Sequence, residues 1–450
     1  MVEYTFRRKL YADLIQAPVL QFVILGTLVG AVVALFDPLL AGLSFLAAAA
    51  LVFFSIRIDI CIMFLLLVRS SVDFSTEYSL VSLAPAARLN PAALLNLLLV
   101  IAGITYLVTT RKSVSRLPGI WPLGTFLIVS LAFCTRNPSI PTALADWLRN
   151  LGCLVLYAVV ATALLDKRKP ETVVKVMLFS AVVPLVVGFY QKATGIGFFS
   201  PPAYRRIYGT FFHPNPYGLY LSIVIVLTYC LLHVKHKLLV SVGLVLLLFC
   251  SAVSLLLTYS RGAWIALLVS VAVVAILTRW RSALAGVGAI VLIVASAPQV
   301  IQRFEDVAGA SRQGSFWWRV QLWKKMVSLI GSHAFFGHGL GSFYYFSQGW
   351  AAHNDYLRLA FETGVTGLAL YICSIISIGV FTLRHMSKQV EPFRRVVSVA
   401  FVGVLAGFLV ASTVDNVVMM PVLQWYFWGL AGLVVAFSTR EVQVETSVRT

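Results

Sequence analysis

The chain has 450 residues, of which 60% are hydrophobic and 12% are charged, and its formal net charge is +18. Its mean hydropathy is +0.91. Soluble globular proteins carry roughly 25% charged residues, so this composition excludes a soluble globular chain. It predicts an all-α polytopic membrane protein, because a helix satisfies its own backbone hydrogen bonds in lipid.

Apolar runs recur along the whole chain at lengths that suit a helix crossing the bilayer, which takes about 20 residues. Arg7, Arg8 and Lys9 precede the first run, which lacks a small-residue cleavage site and is expected to remain as a span. The run at 58–68 is the shortest, so about 12–14 helices are expected. The candidate spans are residues 18–36, 38–56, 58–68, 91–109, 119–134, 147–165, 172–190, 217–232, 238–257, 262–279, 283–298, 357–382, 396–412 and 419–437.

Basic residues collect in alternate short loops, as the positive-inside rule requires of cytoplasmic loops. Both termini are therefore predicted to be cytoplasmic, with residues 441–450 as a cytoplasmic tail. The positive charge is thus partly topological and does not argue for a nucleic-acid partner. The basic positions in these loops are 7–9, 57, 111, 112, 116, 167–169, 175, 235, 237, 279, 281, 384, 388, 394, 395 and 440.

A second group of basic residues falls in predicted external loops or at their edges, against that rule. An anionic ligand on the external face would account for them. The group comprises Arg69, Arg88, Arg136, Arg149, Lys192, Arg205, Arg206, Arg261, Arg303, Arg312, Arg319, Lys324 and Lys325.

The external loop at 191–216 contains several prolines, which forbid a regular helix, and aromatic residues typical of the membrane interface. Arg205 and Arg206 are adjacent, so only one of them is expected to enter a given site. His213 precedes a Pro-Asn-Pro turn and is expected to be structural, with Asn215 hydrogen-bonding that turn.

The external loop at 299–352 is the longest non-spanning stretch. Within it, apolar residues from 316 to 330 recur at three- and four-residue spacing with basic residues between them. This pattern predicts an amphipathic helix that lies in the membrane interface. The glycines that follow, at 337, 339 and 341, allow the backbone to pass close to a ligand or another helix.

Polar residues cluster where this loop meets the next span, in the sequence HNDYLRLAFETG from 353 to 364. Such groups are costly at a membrane boundary unless they serve a site, so His353 is the first candidate for a general base. The alternative is that His353, Asn354 and Asp355 merely cap the helix. His338, which lies between glycines, is the second candidate base.

Arg261 occupies the short external turn TYSRGAW. Its side chain either extends to lipid headgroups or faces inward, where a guanidinium can bind phosphate oxygens. Asp415 and Asn416 lie near the external end of a later span and are expected to border the same cavity.

The stretches RIYGTFFHPNPYGLYL, TYSRGAWIAL and GHGLGSF, followed by HNDYLRLAFETGVTG, resemble the O-antigen ligase and polymerase superfamily of bacterial glycan-assembling membrane proteins. The resemblance covers roughly residues 170–440. Accordingly, residues 1–170 are expected to form N-terminal transmembrane helices and 171–440 the superfamily core.

This resemblance implies a fold like that of the C-type glycosyltransferases, in the bacterial inner membrane, with the active site facing the periplasm or cell exterior. The implied donor is a glycan on undecaprenyl diphosphate, and the acceptor is a hydroxyl of a glycan or of lipid A-core, all within reach of membrane lipids. Neither a metal nor another cofactor is expected, and transfer should invert the anomeric centre.

The roles implied for individual residues follow the matched motifs. His353 would activate the acceptor hydroxyl, and Arg261, with Arg205 or Arg206, would hold the diphosphate. The chemistry needs both functions, because positive charge stabilises the leaving group and a base takes the hydroxyl proton. The expected supporting residues are Asn354, Asp355, Tyr208, His213, Asn215 and Arg319.

Two members of the superfamily fit these motifs. The ligase pattern ends in Gly-x-x-Thr-Gly, whereas Gly364-Val-Thr-Gly367 is one residue tighter and HNDYL with Glu362-Thr-Gly is closer to the polymerases. Polymerisation of lipid-linked repeat units is therefore favoured over ligation to lipid A-core. A transporter of lipid-linked oligosaccharide is the alternative of another class, although transporters usually place polar groups near the bilayer midplane.

Overall fold

The computed structural model of the chain describes residues 56–77, 80–84, 87–167, 170–200, 204–279 and 315–449, together with Phe53, Ala285 and Gly288. The predicted span at 18–36 lies outside the described residues, and those at 38–56 and 283–298 lie almost wholly outside them. Arg303 and Arg312 also lie outside them.

The first half of the described chain is helical apart from two short antiparallel hairpins. Strand β1 (Val81–Ala84) pairs with β2 (Ala87–Leu89), and β3 (Phe198–Ser200) pairs with β4 (Tyr204–Arg206). Short 3₁₀ turns span Asp73–Glu77 and Cys134–Arg136. The helices are α1 (Ile58–Arg69), α2 (Pro91–Thr109), α3 (Ile120–Ala132), α4 (Ile140–Lys167), α5 (Pro170–Phe179) and α6 (Val182–Thr194).

The second half carries the remaining helices. Short 3₁₀ turns span Gly331–His333 and Val417–Met419. The helices are α7 (Pro214–Leu231), α8 (Leu238–Leu257), α9 (Arg261–Thr278), α10 (Ser315–Ile330), α11 (Phe343–Phe346), α12 (Asp355–Met386), α13 (Pro392–Ala411) and α14 (Pro421–Arg449).

Nine helical segments within the described residues are long and apolar enough to cross a membrane. One of them, Pro170–Thr194, contains both α5 and α6, while α3 is apolar but has only 13 residues. The all-α polytopic class predicted from composition is confirmed. The amphipathic pattern at 316–330 corresponds to α10, and residues 441–449 of the predicted tail continue helix α14.

Helix α4 begins seven residues before the predicted span at 147–165. Asp146 and Arg149 interrupt the apolar run in this stretch. Asp146 is nevertheless buried, because its carboxylate pairs with Arg149 on the same helix and with Arg358 on α12. The paired charges allow the helix to extend through a stretch that hydropathy alone excludes.

The core of the bundle surrounds α7 and α14, whose candidate spans are 89% and 94% buried, whereas that of α8 is 22% buried and lies at the periphery. Helix α14 packs along α4, and α7 packs against α8, α9 and α13. Helices α9 and α13 approach closely, since a Cβ on Gly407 would lie 2.7 Å from the carbonyl oxygen of Ala266. Small residues make this approach possible, as is common between membrane helices.

Helix α12 is broken at Gly364, whose φ of 71° and ψ of 180° interrupt the helical hydrogen bonds. The segment 334–339 fills the break by pairing with the backbone on both sides of it. The glycines at 337 and 339 therefore pass close to another helix, as the sequence predicted. The four bonds are His338 N to Phe361 O (3.0 Å), Gly339 N to Glu362 O (2.9 Å), Val365 N to Ala334 O (2.8 Å) and Thr366 N to Phe335 O (3.3 Å).

Candidate active site

The candidate site is built around Asp415, in the loop of residues 412–416 that joins α13 to the last 3₁₀ turn; we call it the Asp415 loop. Asp415 is only 4% exposed. Its Oδ2 accepts a 2.9 Å hydrogen bond from Asn215 Nδ2, and its Oδ1 accepts one of 2.9 Å from the backbone N–H of Asn416. The carboxylate is thus held on both oxygens by fixed donors.

His353 lies on the other side of this carboxylate. Its Nδ1 is 3.5 Å from Asp415 Oδ1, at the outer limit of a hydrogen bond, and its side chain is 24% exposed. Its φ of 50° lies in the left-handed region. A non-glycine residue pays about 1–3 kcal/mol for such a conformation, which persists where surrounding contacts enforce it and is common at functional sites.

The capping alternative for His353 is resolved by its neighbour. Asn354 is the N-cap of α12, and its Oδ1 accepts a 3.0 Å hydrogen bond from the backbone N–H of Leu357. Asp355, the first helical residue, is buried and accepts from the N–H of Val418 at 3.0 Å, while its own N–H donates to the carbonyl of Ser412. Asn354 and Asp355 therefore anchor the helix and the Asp415 loop, and His353 is not the cap.

The electrostatics of the site favour an ionised Asp415. Burial alone raises the pKa of a carboxyl group, because charge is poorly solvated there. The side chain of His353, the N–H of Asn416 and the charge of Arg319 outweigh burial and hold the pKa of Asp415 below its usual value. A negative charge therefore faces His353 at neutral pH.

Arg206 reaches the same cluster from β4. Its Nη2 donates to Asn215 Oδ1 at 2.7 Å, and its Nε donates to the carbonyl of Thr258 at 2.7 Å. Asn215 thus bridges Arg206 and Asp415 with its two amide atoms. Asn215 bonds its own turn through its backbone N–H, which donates to His213 Nδ1, whereas its side chain bonds these more distant partners.

Arg205 and Arg206 lie on a strand, not on a helix, so their side chains point to opposite faces. Arg206 is buried within the cluster, whereas Arg205 is exposed and its Cα pairs with that of Phe199 across the hairpin. Tyr208 lies two residues further on, where its N–H donates to Gln191 Oε1 at 3.0 Å. Of the two arginines, Arg206 contacts the site.

Arg261 begins helix α9 and is half-buried. The preceding turn is constrained, because Tyr259 has a φ of 49° and Thr258 accepts from Arg206. The next residue, Gly262, faces Val414, since a Cβ there would lie 3.4 Å from Val414 Cγ2. The start of α9, where Arg261 lies, therefore borders the Asp415 loop.

Helix α10 contributes Arg319, whose Nη1 donates to the carbonyl of Val414 at 3.0 Å. The same helix donates from Trp323 Nε1 to the carbonyl of Ala352 at 2.8 Å, next to His353. Its Met326 packs in a small core with Phe343, Phe361 and Ala352. Helix α10 thus fixes both the Asp415 loop and the backbone that leads into His353.

His213 is the N-cap of α7, and its Nδ1 accepts a 3.1 Å hydrogen bond from the N–H of Asn215. Burial lowers its pKa to about 4, aided by the positive charges of Arg206, His353 and Arg319, although Asp415 acts in the opposite direction. The predicted structural role is therefore present. The same residue also interacts electrostatically with Asp415, Arg206 and His353.

His338 lies elsewhere, on the segment that fills the break in α12. Its ring stacks on Phe361 with centroids 4.4 Å apart and lies 4.4 Å from that of His333, and its Nε2 is 3.3 Å from the carbonyl oxygen of Leu329. Burial lowers its pKa. These contacts tie His338 to the end of α10.

Several basic residues that suggested an anionic ligand have protein partners instead. Arg69 forms a fully buried ion pair with Asp73 at 3.0 Å, Arg149 pairs with Asp146 at 2.6 Å, and Arg136 donates to the carbonyl of Gly337 at 3.1 Å. Buried carboxylates therefore compensate Arg69 and Arg149, so no anionic ligand is needed to account for these two residues.

A crevice lies against the Asp415 loop, between α7, α9 and α13. A water-sized sphere can occupy only about 20 Å³ of it, roughly the space of one water molecule. Ala411 and Val417, on either side of the loop, line it. The wall is apolar apart from Ser222 and Ser270, whose hydroxyls donate to backbone carbonyls one turn earlier. The crevice is therefore narrow and mostly apolar.

In the part of the chain that the structure describes, no three His, Cys, Asp or Glu side chains meet as a metal site would require. A metal-independent reaction stays a prediction. What sequence reasoning missed is the role of Asp415. The signal that was available is a carboxylate at a span end, which is costly there unless it has a partner.

Comparison with known families adds one finding. Residues 246–372 match the family model described as O-antigen ligase, a segment that runs from α8 into α12 and contains Arg261, Arg319 and His353. A comparison with curated proteins gave no significant match. The family match supports the resemblance to the O-antigen ligase and polymerase superfamily that the motifs predicted.

Proposed function

We propose that this protein is a membrane glycosyltransferase that moves a glycan from undecaprenyl diphosphate to an acceptor hydroxyl, polymerising lipid-linked repeat units of a surface polysaccharide. The observation that carries the proposal is the contact between His353 Nδ1 and Asp415 Oδ1 at 3.5 Å, with Arg206 and Arg319 beside it. A buried carboxylate behind an accessible imidazole is the arrangement that a general base requires.

In this proposal His353 takes the proton of the acceptor hydroxyl through Nε2. Asp415 faces Nδ1, so it favours the tautomer with a proton on Nδ1 and leaves the lone pair on Nε2 for the substrate. When the imidazole becomes charged, the Asp415 carboxylate stabilises it. The acceptor oxygen then attacks the anomeric carbon from the face opposite the diphosphate, which inverts that centre.

The leaving diphosphate needs compensating positive charge as the anomeric bond breaks. Arg206 and Arg261 are proposed to supply it, with Arg319 close by. Guanidinium groups suit this task because they bind phosphate oxygens through paired N–H donors. The turn at Thr258, which accepts from Arg206 and leads into Arg261, would bring the two arginines to the same ligand.

We propose that the isoprenoid chain of the donor lies against the apolar residues next to the Asp415 loop, among them Ala411 and Val417, and presents its diphosphate to the cluster. We propose that this end of the bundle faces the periplasm or cell exterior, as the distribution of basic loops indicates.

The experiment that tests the proposal supplies the purified protein with a lipid-diphosphate oligosaccharide and measures the glycans formed. Growth of the lipid-linked chain supports the polymerase. Transfer only to added lipid A-core would identify the ligase, which differs in acceptor and shares the donor chemistry. Absence of both products with wild-type protein that binds the donor would refute the transferase.

The transporter alternative draws on one observation, the intramembrane charges of Arg358, Glu362 and Asp146. These side chains are buried and paired with one another, with Arg358 Nη2 3.0 Å from Glu362 Oε2 and 3.1 Å from Asp146 Oδ2. Arg358 and Glu362 are the fourth and eighth residues of α12. They therefore lie near the end of α12 that carries the candidate site rather than midway along the span. This position favours a structural role for the charges over a role in transport.

A further inference from the structure

His353 contacts Asp415 directly and His213 is linked to it through Asn215, and the hydrogen bonds around the two histidines impose different chemistry on each. His353 presents Nδ1 to the carboxylate at 3.5 Å, so its proton belongs on Nδ1. His213 presents Nδ1 to a backbone donor, the N–H of Asn215, at 3.1 Å. A nitrogen that accepts a hydrogen bond carries no proton, so neutral His213 carries its proton on Nε2.

The ring of His213 is fixed in this orientation. It caps helix α7 from an extended backbone conformation, with φ of −150° and ψ of 150°, and Pro214 follows at the first helical position. Phe198 of β3 meets the ring edge-on, with centroids 4.7 Å apart. Among the described residues, the Nε2 atom of His213 makes no hydrogen bond, so a preset donor is available to a ligand.

The surroundings of His213 also keep it neutral. Burial and the positive charges of Arg206 and Arg319 oppose its protonation, as does His353 when it is charged, and their effect exceeds that of Asp415. Because Nδ1 is occupied by the helix cap and Nε2 already carries a proton, His213 cannot take a proton from the acceptor. It can donate one hydrogen bond without changing its charge.

We propose that His213 is a phosphate-contacting residue, whose Nε2–H donates to an oxygen of the donor's diphosphate beside Arg206. This inference rests on the proposed function and extends it, because it assigns separate catalytic roles to the two histidines near Asp415. His353 moves a proton, whereas His213 stabilises charge on the leaving group. A neutral donor suits the second task, since it cannot lose its proton to the leaving phosphate as an imidazolium could.

Serine at position 213 separates this role from helix capping. Serine caps helices well, so His213→Ser keeps an acceptor for the N–H of Asn215 while it removes the Nε2–H donor. His213→Asn is a second variant with a good cap, for use if the serine variant does not fold. His233→Ser is the matched control, because His233 is exposed beyond the other end of the same helix.

The probe is inorganic pyrophosphate, titrated calorimetrically into the full-length protein in detergent near pH 7. We expect wild-type protein and His233→Ser to bind it equally and His213→Ser to bind at least about tenfold more weakly, as expected for loss of a hydrogen bond to a charged group. The unfolding temperature of His213→Ser should stay close to that of wild type.

Equal pyrophosphate affinity of wild type and His213→Ser would overturn the proposal, and so would the absence of pyrophosphate binding by wild type. The outcome is separate from that of the transferase. If wild type binds pyrophosphate through His213 but transfers no glycan, the proposed function fails and the anion site stands.

Discussion

His353 and Asp415 face each other at the end of the bundle, with His353 Nδ1 3.5 Å from Asp415 Oδ1. The two residues come from the ends of different helices, and two hydrogen bonds of Asp355 hold these ends together. Asp355 N–H donates to the carbonyl of Ser412 at 2.8 Å, and Val418 N–H donates to Asp355 Oδ2 at 3.0 Å. These bonds set the distance at which the carboxylate can orient the imidazole.

Replacement of Asp415 by asparagine should reduce transfer activity by up to about 10⁴-fold, as it does for the carboxylate that orients the histidine of a catalytic triad. The amide has the shape of the carboxylate but carries no charge to stabilise the imidazolium, and its nitrogen can turn toward Nδ1. The measurement is the turnover number with a lipid-diphosphate donor. Glu391→Gln is the control, since Glu391 is a half-exposed carboxylate paired with Arg394 in a different loop. Unchanged turnover in Asp415→Asn would remove Asp415 from the mechanism.

The adjacent arginines of β4 provide a matched pair of substitutions. Arg206→Lys should strongly weaken donor use, because lysine cannot bond Asn215 and Thr258 at the same time as a planar guanidinium does. Arg205→Lys should leave donor use within about twofold, since Arg205 is exposed and lysine keeps its charge. The measurement is kcat/KM for the donor. A larger loss in Arg205→Lys than in Arg206→Lys would reverse the assignment of the two side chains.

The segment that fills the break in α12 should tolerate no side chain at Gly337. A Cβ there would lie 2.5 Å from the backbone carbonyl of Glu362, and the φ of 65° disfavours other residues. Gly337→Ala should therefore lower the free energy of unfolding by about 2–4 kcal/mol. Gly331→Ala is the control, because no atom lies within 4 Å of its Cβ position. Equal unfolding temperatures for the two variants would contradict the packing described for this segment.

His213 should make stability depend on pH in a defined window. Its pKa is about 4 in the folded protein, below the value of about 6.5 expected for the unfolded chain. As the pH falls from 6.5 to 4, the unfolded state gains the proton first, so the free energy of unfolding decreases, by at most about 3 kcal/mol.

Comparing wild type with a variant isolates His213, because both proteins keep the other groups that act on it, namely Asp415, His353, Arg206 and Arg319. Asp415 has a depressed pKa and loses its charge only at lower pH, and Arg206 and Arg319 stay charged. Thermal unfolding of wild type and His213→Ser between pH 7.5 and 4 checks the effect, with the serine variant expected to lose less stability on acidification. Parallel curves for the two proteins would show that His213 is not held neutral.

Much of the fold follows from local sequence. Hydropathy predicted the spans that became α2, α7, α8 and α9, because each is a nearly unbroken apolar run. It failed at the start of α4, where Asp146 and Arg149 are compensated by pairing with each other and with Arg358 on α12. Hydropathy scores a residue by itself and contains no information about such partners.

The candidate site was predictable only in part. Residue type and position singled out His353, Arg261 and the two arginines of β4, since ionisable groups at a membrane boundary are energetically costly unless they serve a site. The sequence could not show which of Arg205 and Arg206 contacts the site. The answer depends on their position in a strand that has one buried and one exposed face. Nor could it bring Asn215 to Asp415, a contact between residues 200 positions apart.

The most direct test of the central claim compares His353→Ala with His338→Ala in glycan transfer by purified full-length protein. We predict that His353→Ala lowers turnover by about 10²–10⁴-fold, the usual contribution of a general base, while its unfolding temperature stays near that of wild type. His338→Ala should retain turnover comparable to wild type once its folded fraction is matched, because its ring packs on Phe361 and contacts the carbonyl of Leu329. Near-normal turnover in His353→Ala, with loss of turnover in folded His338→Ala, would contradict the account and move the base to His338.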